Sequence, residues 1–525
     1  MRIGPLLALG LGLCAPLIVR AADAPRPTVT TTAGVLRGFK PDGAPGAVFK
    51  GVPFAQPPVG PLRWHEPLPA LAWSGVKDAS VAAPACAQIS REGPTSREDC
   101  LYLNVWTPEW PLRGPHPVML WLFGGANVVG SASMPGFDGA ALARRGVVVV
   151  AANYRVGVMG FLAHPALSAE SSHGSSGDYA LLDQIMALRW IHENAARFGG
   201  DPANVTVFGQ SAGAYDILLL MASPLARGLF QHAIAESGQI LSFGGSMPKA
   251  KAEQIGLNIA ADLKAPVGPG ALAYLRALPA DQVMAAAAKH MPTGLTSDTG
   301  LLTNVDGWVL PQSPARVFAE GREAPVDLMI GNNAREITLP GSLDDLRRQI
   351  ADKYGPFAPQ ALKVYGLADG GPGVSDPLLG GAGAQWMTDT VQRCAASMEA
   401  DWHAAAGHRT WRYQFELPVP GREAMGSTHA AEIPYVFGNL GGGADSPPYG
   451  AVDRQVSTEM QDYWTRFAAT GDPNGPNEPA WPRAGDGRYL AFTPDGPKAL
   501  ANLQAGPCAV FRQWALSPIG PAARP

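Results

Sequence analysis

Residues 205–221 restrict the possible folds of this chain more than any other stretch. Val205-Thr206-Val207-Phe208 runs into Gly209-Gln210-Ser211-Ala212-Gly213 and then into Ala214-Tyr215-Asp216-Ile217-Leu218-Leu219-Leu220-Met221. The first segment is β-prone and the last is an apolar helix-like run. A serine bracketed by glycines separates them, so the order is strand, sharp turn, helix. Residues without Cβ on both sides let strand and helix backbones approach closely while the serine occupies a strained turn. Ser211 is therefore a candidate nucleophile, and the bland alternative is an ordinary glycine turn.

Such a unit needs parallel neighbours, and the chain supplies them. Val118–Phe123, Val147–Ala152, Ala233–Ala235, Val326–Gly331 and Thr410–Phe415 are strand-like, and the apolar runs among them suit central strands covered by helices on both faces. Helical spacing falls between and after them, at Phe137–Arg145, Leu181–Phe198, Ala252–Leu263, Asp281–His290 and Glu459–Thr470, and Pro507–Leu516 reads as the last packed element. Thr28–Thr32 and Gly34–Phe39 predict a small N-terminal antiparallel sheet, followed by strand patterns at Val48–Phe54 and Cys100–Thr107. The proline-rich stretch Pro57–Pro84 and the Gly/Pro stretch Asp369–Gly383 read as surface loops. The expected fold class is α/β, with a large central, mostly parallel twisted sheet, helical insertions and that small N-terminal sheet.

Composition narrows the partners. With 40 Lys plus Arg against 44 Asp plus Glu, nothing draws the chain to nucleic acid or an anionic membrane. The 62 Gly and 50 Pro show no repeat period, which suggests many fixed turns rather than a fibrous or disordered chain. Residues 1–22 carry Arg2, an apolar stretch to Val19 and then Arg20-Ala21-Ala22, the pattern of an export leader cut after Ala21 or Ala22. The expectation is a secreted or periplasmic protein whose residues 23–525 are enough for two domains or one large α/β enzyme domain, with no stable membrane span once the leader is removed and an oligomeric state left open. Losing the leader leaves Cys86, Cys100, Cys394 and Cys508, for which three pairings are open. Sequential pairing is the simplest, and would remove about 3 and about 5 kcal/mol of unfolded-state entropy in the loop-closure model. No Cys-x-x-Cys spacing occurs and no histidine lies close to a cysteine, so no metal is expected.

A serine hydroxyl needs a base, and the base needs an orienting carboxylate. The strand-turn-helix unit resembles the nucleophile turn of α/β-hydrolases, in which those partners follow the serine in the order acid, histidine. His429, in the polar loop Gly426-Ser427-Thr428-His429-Ala430-Ala431-Glu432 after the Thr410 strand, is the candidate base. His232, His290, His403 and His408 read as structural or surface residues, with His164 and His173 in reserve. Glu336 follows the Val326 strand through Gly331-Asn332-Asn333-Ala334-Arg335, on the side where α/β sheets carry their sites, and is preferred to Asp306 and Asp389 as the acid. Donors for a developing oxyanion come from the glycine loop after the Val118 strand: Gly125 and Ala126, with Ala212 just past the serine. Phe123, Asn127, Gln210 and Arg335 are candidate pocket residues. The chain has neither a Gly-Lys-Ser/Thr ending nor a dinucleotide fingerprint, so the glycine loop fits poorly as a phosphate cradle.

From about Thr28 to Trp514 the sequence resembles the type-B carboxylesterase/lipase family, which includes the cholinesterases. The resemblance runs through Phe49-Lys50-Gly51-Val52-Pro53-Phe54-Ala55, Glu98-Asp99-Cys100-Leu101-Tyr102-Leu103-Asn104-Val105-Trp106, Asn153-Tyr154-Arg155-Val156-Gly157, Phe198-Gly199-Gly200-Asp201-Pro202 and Gly209-Gln210-Ser211-Ala212-Gly213. It implies one large α/β-hydrolase catalytic domain over residues 23–525 without a cofactor, nucleophile Ser211, acid Glu336, base His429, and disulfides Cys86–Cys100 and Cys394–Cys508. Three departures stand out: Gln210 where the family usually has Glu, Phe123-Gly124-Gly125-Ala126 where it has His-Gly-Gly-Gly, and Ile337 where Gly usually follows the acid. The expected activity is hydrolysis of a small-molecule carboxylic ester through an acyl-enzyme. Gln210 and Arg335 suggest an ester that carries carboxylates, of the tricarballylate type found in fumonisins. The alternatives are a lipase and a catalytically silent binding or adhesion protein.

Overall fold

The apolar runs form the centre of a ten-stranded sheet in the computed structural model, which describes residues 26–89, 96–242, 245–291, 302–338, 341–441, 446–476 and 478–523. In chain order the strands are β1 (Val48–Pro53), β2 (Tyr102–Trp106), β3 (His116–Leu122), β4 (Val148–Ala152), β5 (Gly200–Gln210), β6 (His232–Glu236), β7 (Asp327–Asn333), β8 (Thr410–Phe415), β9 (Arg488–Thr493) and β10 (Gly496–Ala501). Their spatial order is β10-β9-β8-β7-β6-β5-β3-β4-β2-β1. From β9 across to β4 every neighbouring pair is parallel, while β10 at one edge and β2 and β1 at the other are antiparallel. Val118 through Phe123 are wholly buried, as an apolar run covered on both faces must be. Each such large side chain contributes about 1.5–3 kcal/mol by leaving water.

The main helices are α1 (Tyr179–Asn194), α2 (Ala212–Ala222), α3 (Cys394–Ala405), α4 (Ala451–Thr470) and α5 (Ala505–Ala515). A second apolar cluster, with Ile350, Tyr354, Trp386, Met398 and Trp514, packs beside the principal core. Disulfides join Cys86 to Cys100 and Cys394 to Cys508, the latter tying α5 to the start of α3.

Several local expectations change. The N-terminal sheet is mixed, because Val76–Asp78 from the proline-rich stretch adds a parallel strand to the antiparallel pair Thr28–Thr30 and Val35–Arg37. Residues 369–383 are not loop throughout: Ser375–Asp376 pairs with Gly380–Gly381, and a helix starts at Ala382. Helix α4 begins at Ala451 rather than Glu459; its first turns are mostly exposed, so they lack the apolar period by which a packed helix is read. The leader assigned to residues 1–22 lies outside the described residues. No helix among the described residues is long and apolar enough to cross a membrane.

Candidate active site

The register of three central strands brings the chemistry together. Gln210 at the end of β5 stands opposite Glu236 on β6, and Glu236 stands opposite Gly331 on β7, so the residues that follow these strands emerge side by side at the carboxyl edge. Ser211 comes next, at φ +57° and ψ −123°, with its N–H donated to the Glu236 carbonyl at 2.8 Å. The flanking glycines are required by contact: a Cβ at Gly209 would lie 2.5 Å from the Leu122 carbonyl oxygen, and one at Gly213 would lie 2.0 Å from it.

The Ser211 Oγ is 2.8 Å from His429 Nε2, and His429 Nδ1 is 2.7 Å from Glu336 Oε2. A backbone bond of 2.9 Å from the His429 N–H to the Glu336 carbonyl fixes the two loops together. Glu336 is 2 % exposed, and its other oxygen accepts from the Ser237 hydroxyl and the Asn333 N–H, both at 2.6 Å. Its own N–H is donated to the Thr388 hydroxyl at 3.1 Å. The carboxylate is thus fully committed, with one oxygen left to orient the imidazole. Burial alone would depress the His429 pKa, but the hydrogen bond and charge of Glu336, joined by the charge of Glu432, outweigh it and hold the value above the ordinary 6.5.

Two further carboxyls lie beneath this relay. Glu432 accepts from the Asn333 amide, and burial together with the charge of Glu336 pushes its pKa up to about 7. Glu236 accepts from Trp464 Nε1 at 2.7 Å and is pushed well above the usual carboxylate range, by burial and then by Glu432. A raised pKa keeps Glu236 uncharged at neutral pH, which limits the negative charge packed behind His429.

The loop after β3 closes the other side. A Cβ on Gly124 would sit 2.7 Å from the Gln210 carbonyl oxygen and 2.9 Å from Ser211 Cβ, so the loop lies directly against the serine turn. Ala126 and Asn127 follow at φ +54° and +61°, two successive left-handed residues of which neither is glycine. Their conformation is held from outside. The Asn127 carbonyl accepts from Gly157 N–H at 2.6 Å, the Val128 and Val129 N–H groups turn back to the Gly125 carbonyl, and Asn127 Nδ2 donates to Asp216 at 2.9 Å. Asp216, on α2, also accepts from Gln184 on α1 at 2.6 Å, and burial raises its pKa to about 7 despite both bonds. Among the described residues none of the Gly125, Ala126 and Ala212 N–H groups is donated to a protein acceptor. For Ala212 that follows from its place in the first turn of α2.

The pocket candidates separate. Gln210 is at the centre, with Nε2 at 3.3 Å from His429 Nε2. The Phe123 ring is in the core, stacked on Tyr154 with centroids 4.2 Å apart, so it supports the loop and does not line a pocket. Asn127 is likewise 1 % exposed and spent on Asp216. Arg335 is turned aside: its guanidinium donates to the carbonyls of Ala424, Pro377 and Leu378, which corrects its placement in the pocket. Beyond the turn at Val128 and Val129 lies an apolar cleft of about 430 Å³, walled also by Val156, Val158, Met284 and Met291. Sequence reasoning missed Ser237, Asn333 and Glu236; Glu432 was in view only as a neighbour of His429.

The carboxylesterase family model matches residues 25–355 and 380–511 of this chain. The fumonisin B1 esterase of Sphingopyxis macrogoltabida is 36 % identical over 497 residues, covering 90 % of this chain and 87 % of that protein. The para-nitrobenzyl esterase of Bacillus subtilis is 34 % identical over 476 residues, covering 85 % and 90 %. Among solved structures, a carboxylesterase of Geobacillus stearothermophilus superposes with a TM-score of 0.79 at 32 % identity, covering 92 % of this chain and 99 % of that one.

Proposed function

The chain belongs to the carboxylesterase family, and we propose that it hydrolyses carboxylic esters through an acyl-enzyme formed on Ser211. One observation carries this reading: Ser211 Oγ, His429 and Glu336 stand in line at 2.8 and 2.7 Å. In the proposed cycle His429 Nε2 takes the Ser211 proton as Oγ attacks the ester carbonyl. Glu336 steadies the imidazolium that results, and the same proton then leaves with the alcohol. The N–H groups of Gly125, Ala126 and Ala212 meet the negative oxygen of the tetrahedral intermediate. Water, deprotonated by His429, attacks the acyl carbon and restores the serine.

The substrate class we propose is an ester that bears carboxylates, of the tricarballylate kind. The similarity to a fumonisin B1 esterase supports it, as does Gln210, which puts a neutral amide beside His429 where a carboxylate would repel an anionic substrate. We further propose export to the periplasm or the medium, supported by the leader-like residues 1–22 and by two disulfides.

A fluorophosphonate probe is expected to label the native protein and not Ser211→Ala; full ester turnover by that variant would overturn the mechanism. Matched kcat/KM values for a tricarballylate ester and a neutral ester of the same size would overturn the substrate class alone.

A further inference from the structure

At the opposite edge of the sheet from Ser211, Glu323, His403 and His408 converge: one ligand atom from each lies within 4.8 Å of the other two. Among the described residues this is the one group of three His, Cys, Asp or Glu side chains that does so. Glu323 leads into β7, His403 lies in the last turn of α3 and His408 precedes β8, so three separate segments supply the donors. We propose that they form a structural site for a divalent transition metal, with zinc as its natural occupant.

The donor set suits that ion: two imidazoles and one carboxylate are ligands zinc takes readily. The histidine is oriented as a ligand. His403 Nε2 lies 2.8 Å from the Val326 carbonyl, which can only accept, so Nε2 carries its hydrogen and the Nδ1 side faces Glu323 Oε1 at 2.7 Å. An outer carbonyl that fixes the tautomer in this way is the usual support of a metal-bound imidazole. Glu323 and His403 are 2 % and 0 % exposed, and the second oxygen of Glu323 is buried with no protein donor among the described residues. His408 completes the group from a half-buried loop, with its ring centroid 4.7 Å from that of His403. The nearby carboxylate Asp327 is already committed to His232 and Arg409.

Zinc bonds of about 2.0–2.1 Å hold tetrahedral ligands roughly 3.3–3.4 Å apart. For zinc to bind, the contact between His403 and Glu323 must therefore open slightly and His408 must swing inward. The remaining position would go to the second Glu323 oxygen or to water. Nothing in the sequence suggested a metal, because Glu323 lies 80 residues from His403.

The test uses the full-length oxidised protein, stripped with a chelator and then titrated with zinc chloride, comparing the native chain with His408→Ala and Glu323→Gln. The native chain is expected to bind one equivalent at this site, and its Tm is expected to rise by a few degrees when zinc exceeds Kd by about 100-fold. Each variant should lose affinity by at least about 100-fold, beyond the range set by an outer partner. His408→Ala removes a half-buried side chain and should still fold, with turnover of a neutral ester unchanged. Equal zinc stoichiometry and affinity in the native chain and His408→Ala would overturn the proposal, as would no binding by either.

Discussion

The two edges of the central sheet each hold a histidine against a buried glutamate at the same separation, 2.7 Å from Nδ1 to a carboxylate oxygen. At the carboxyl edge the partners are His429 and Glu336; at the amino edge they are His403 and Glu323. The difference lies at the other ring nitrogen. His429 Nε2 meets a serine hydroxyl, which has a proton to give, whereas His403 Nε2 meets the Val326 carbonyl, which has none. Exposure follows the same division, with the His429 side chain 31 % exposed and that of His403 completely buried. A histidine and carboxylate at ideal distance therefore make a catalyst only when the far nitrogen faces an exchangeable proton in reach of substrate.

The sharpest way to break that contrast is to remove the proton donor. Ser211→Ala should lower kcat for a neutral ester by about 10⁶-fold, while leaving the thermal midpoint within a degree or two. Near-native turnover would show that the carboxyl edge is as inert as the amino edge. Next in size is the carboxylate. Glu336→Gln preserves the shape but favours the wrong tautomer, and a loss of roughly 10⁴-fold in kcat is expected. The matching change Glu323→Gln should leave kcat within about twofold. A large loss there would mean the two edges are coupled.

Stability reverses the ranking. Glu323→Ala strips the partner from a wholly buried histidine and is expected to cost about 3–5 kcal/mol in chemical denaturation, as breaking a buried pair does. A cost no greater than that of an exposed surface substitution would show that His403 is not held as described. The smallest effect concerns pH. The His429 pKa is raised, so kcat/KM should fall on the acid side with a midpoint above 6.5. Glu432→Gln removes one source of that shift, and the acid limb should move to lower pH; an unmoved limb would mean that the Glu432 charge does not reach the ring. In folding, the same raised pKa acts in the other sense. Its contribution to stability is complete below the unfolded value and is lost as pH rises through the folded one, so His429 is in its working, neutral form where that contribution has gone.

Ser211, Glu336 and His429 were legible because each sits in a local pattern: a glycine-bracketed turn, a residue just past an apolar strand, and a polar loop after another strand. The supporting residues were not, because they arise from register. Ser237 reaches Glu336 only because β6 lies beside β7, and Glu236 lies under the serine only because it pairs with Gln210. Arg335 shows the opposite failure. Adjacent in sequence to Glu336, it was expected to share its surroundings, yet successive residues in a turn point in different directions, and loop carbonyls hold its guanidinium. The hairpin of β9 and β10 was missed because β10 is largely exposed, with too few apolar residues to show a strand period.

Arg335 also has a consequence for engineering. Its guanidinium clasps the segment around Pro377 and Leu378 and the one around Ala424, and the second leads straight into the histidine-bearing loop. A single side chain thus ties the two segments to each other. A chimera that imported the histidine loop from a relative without its counterpart near Pro377 would leave the pin with only half of its sockets.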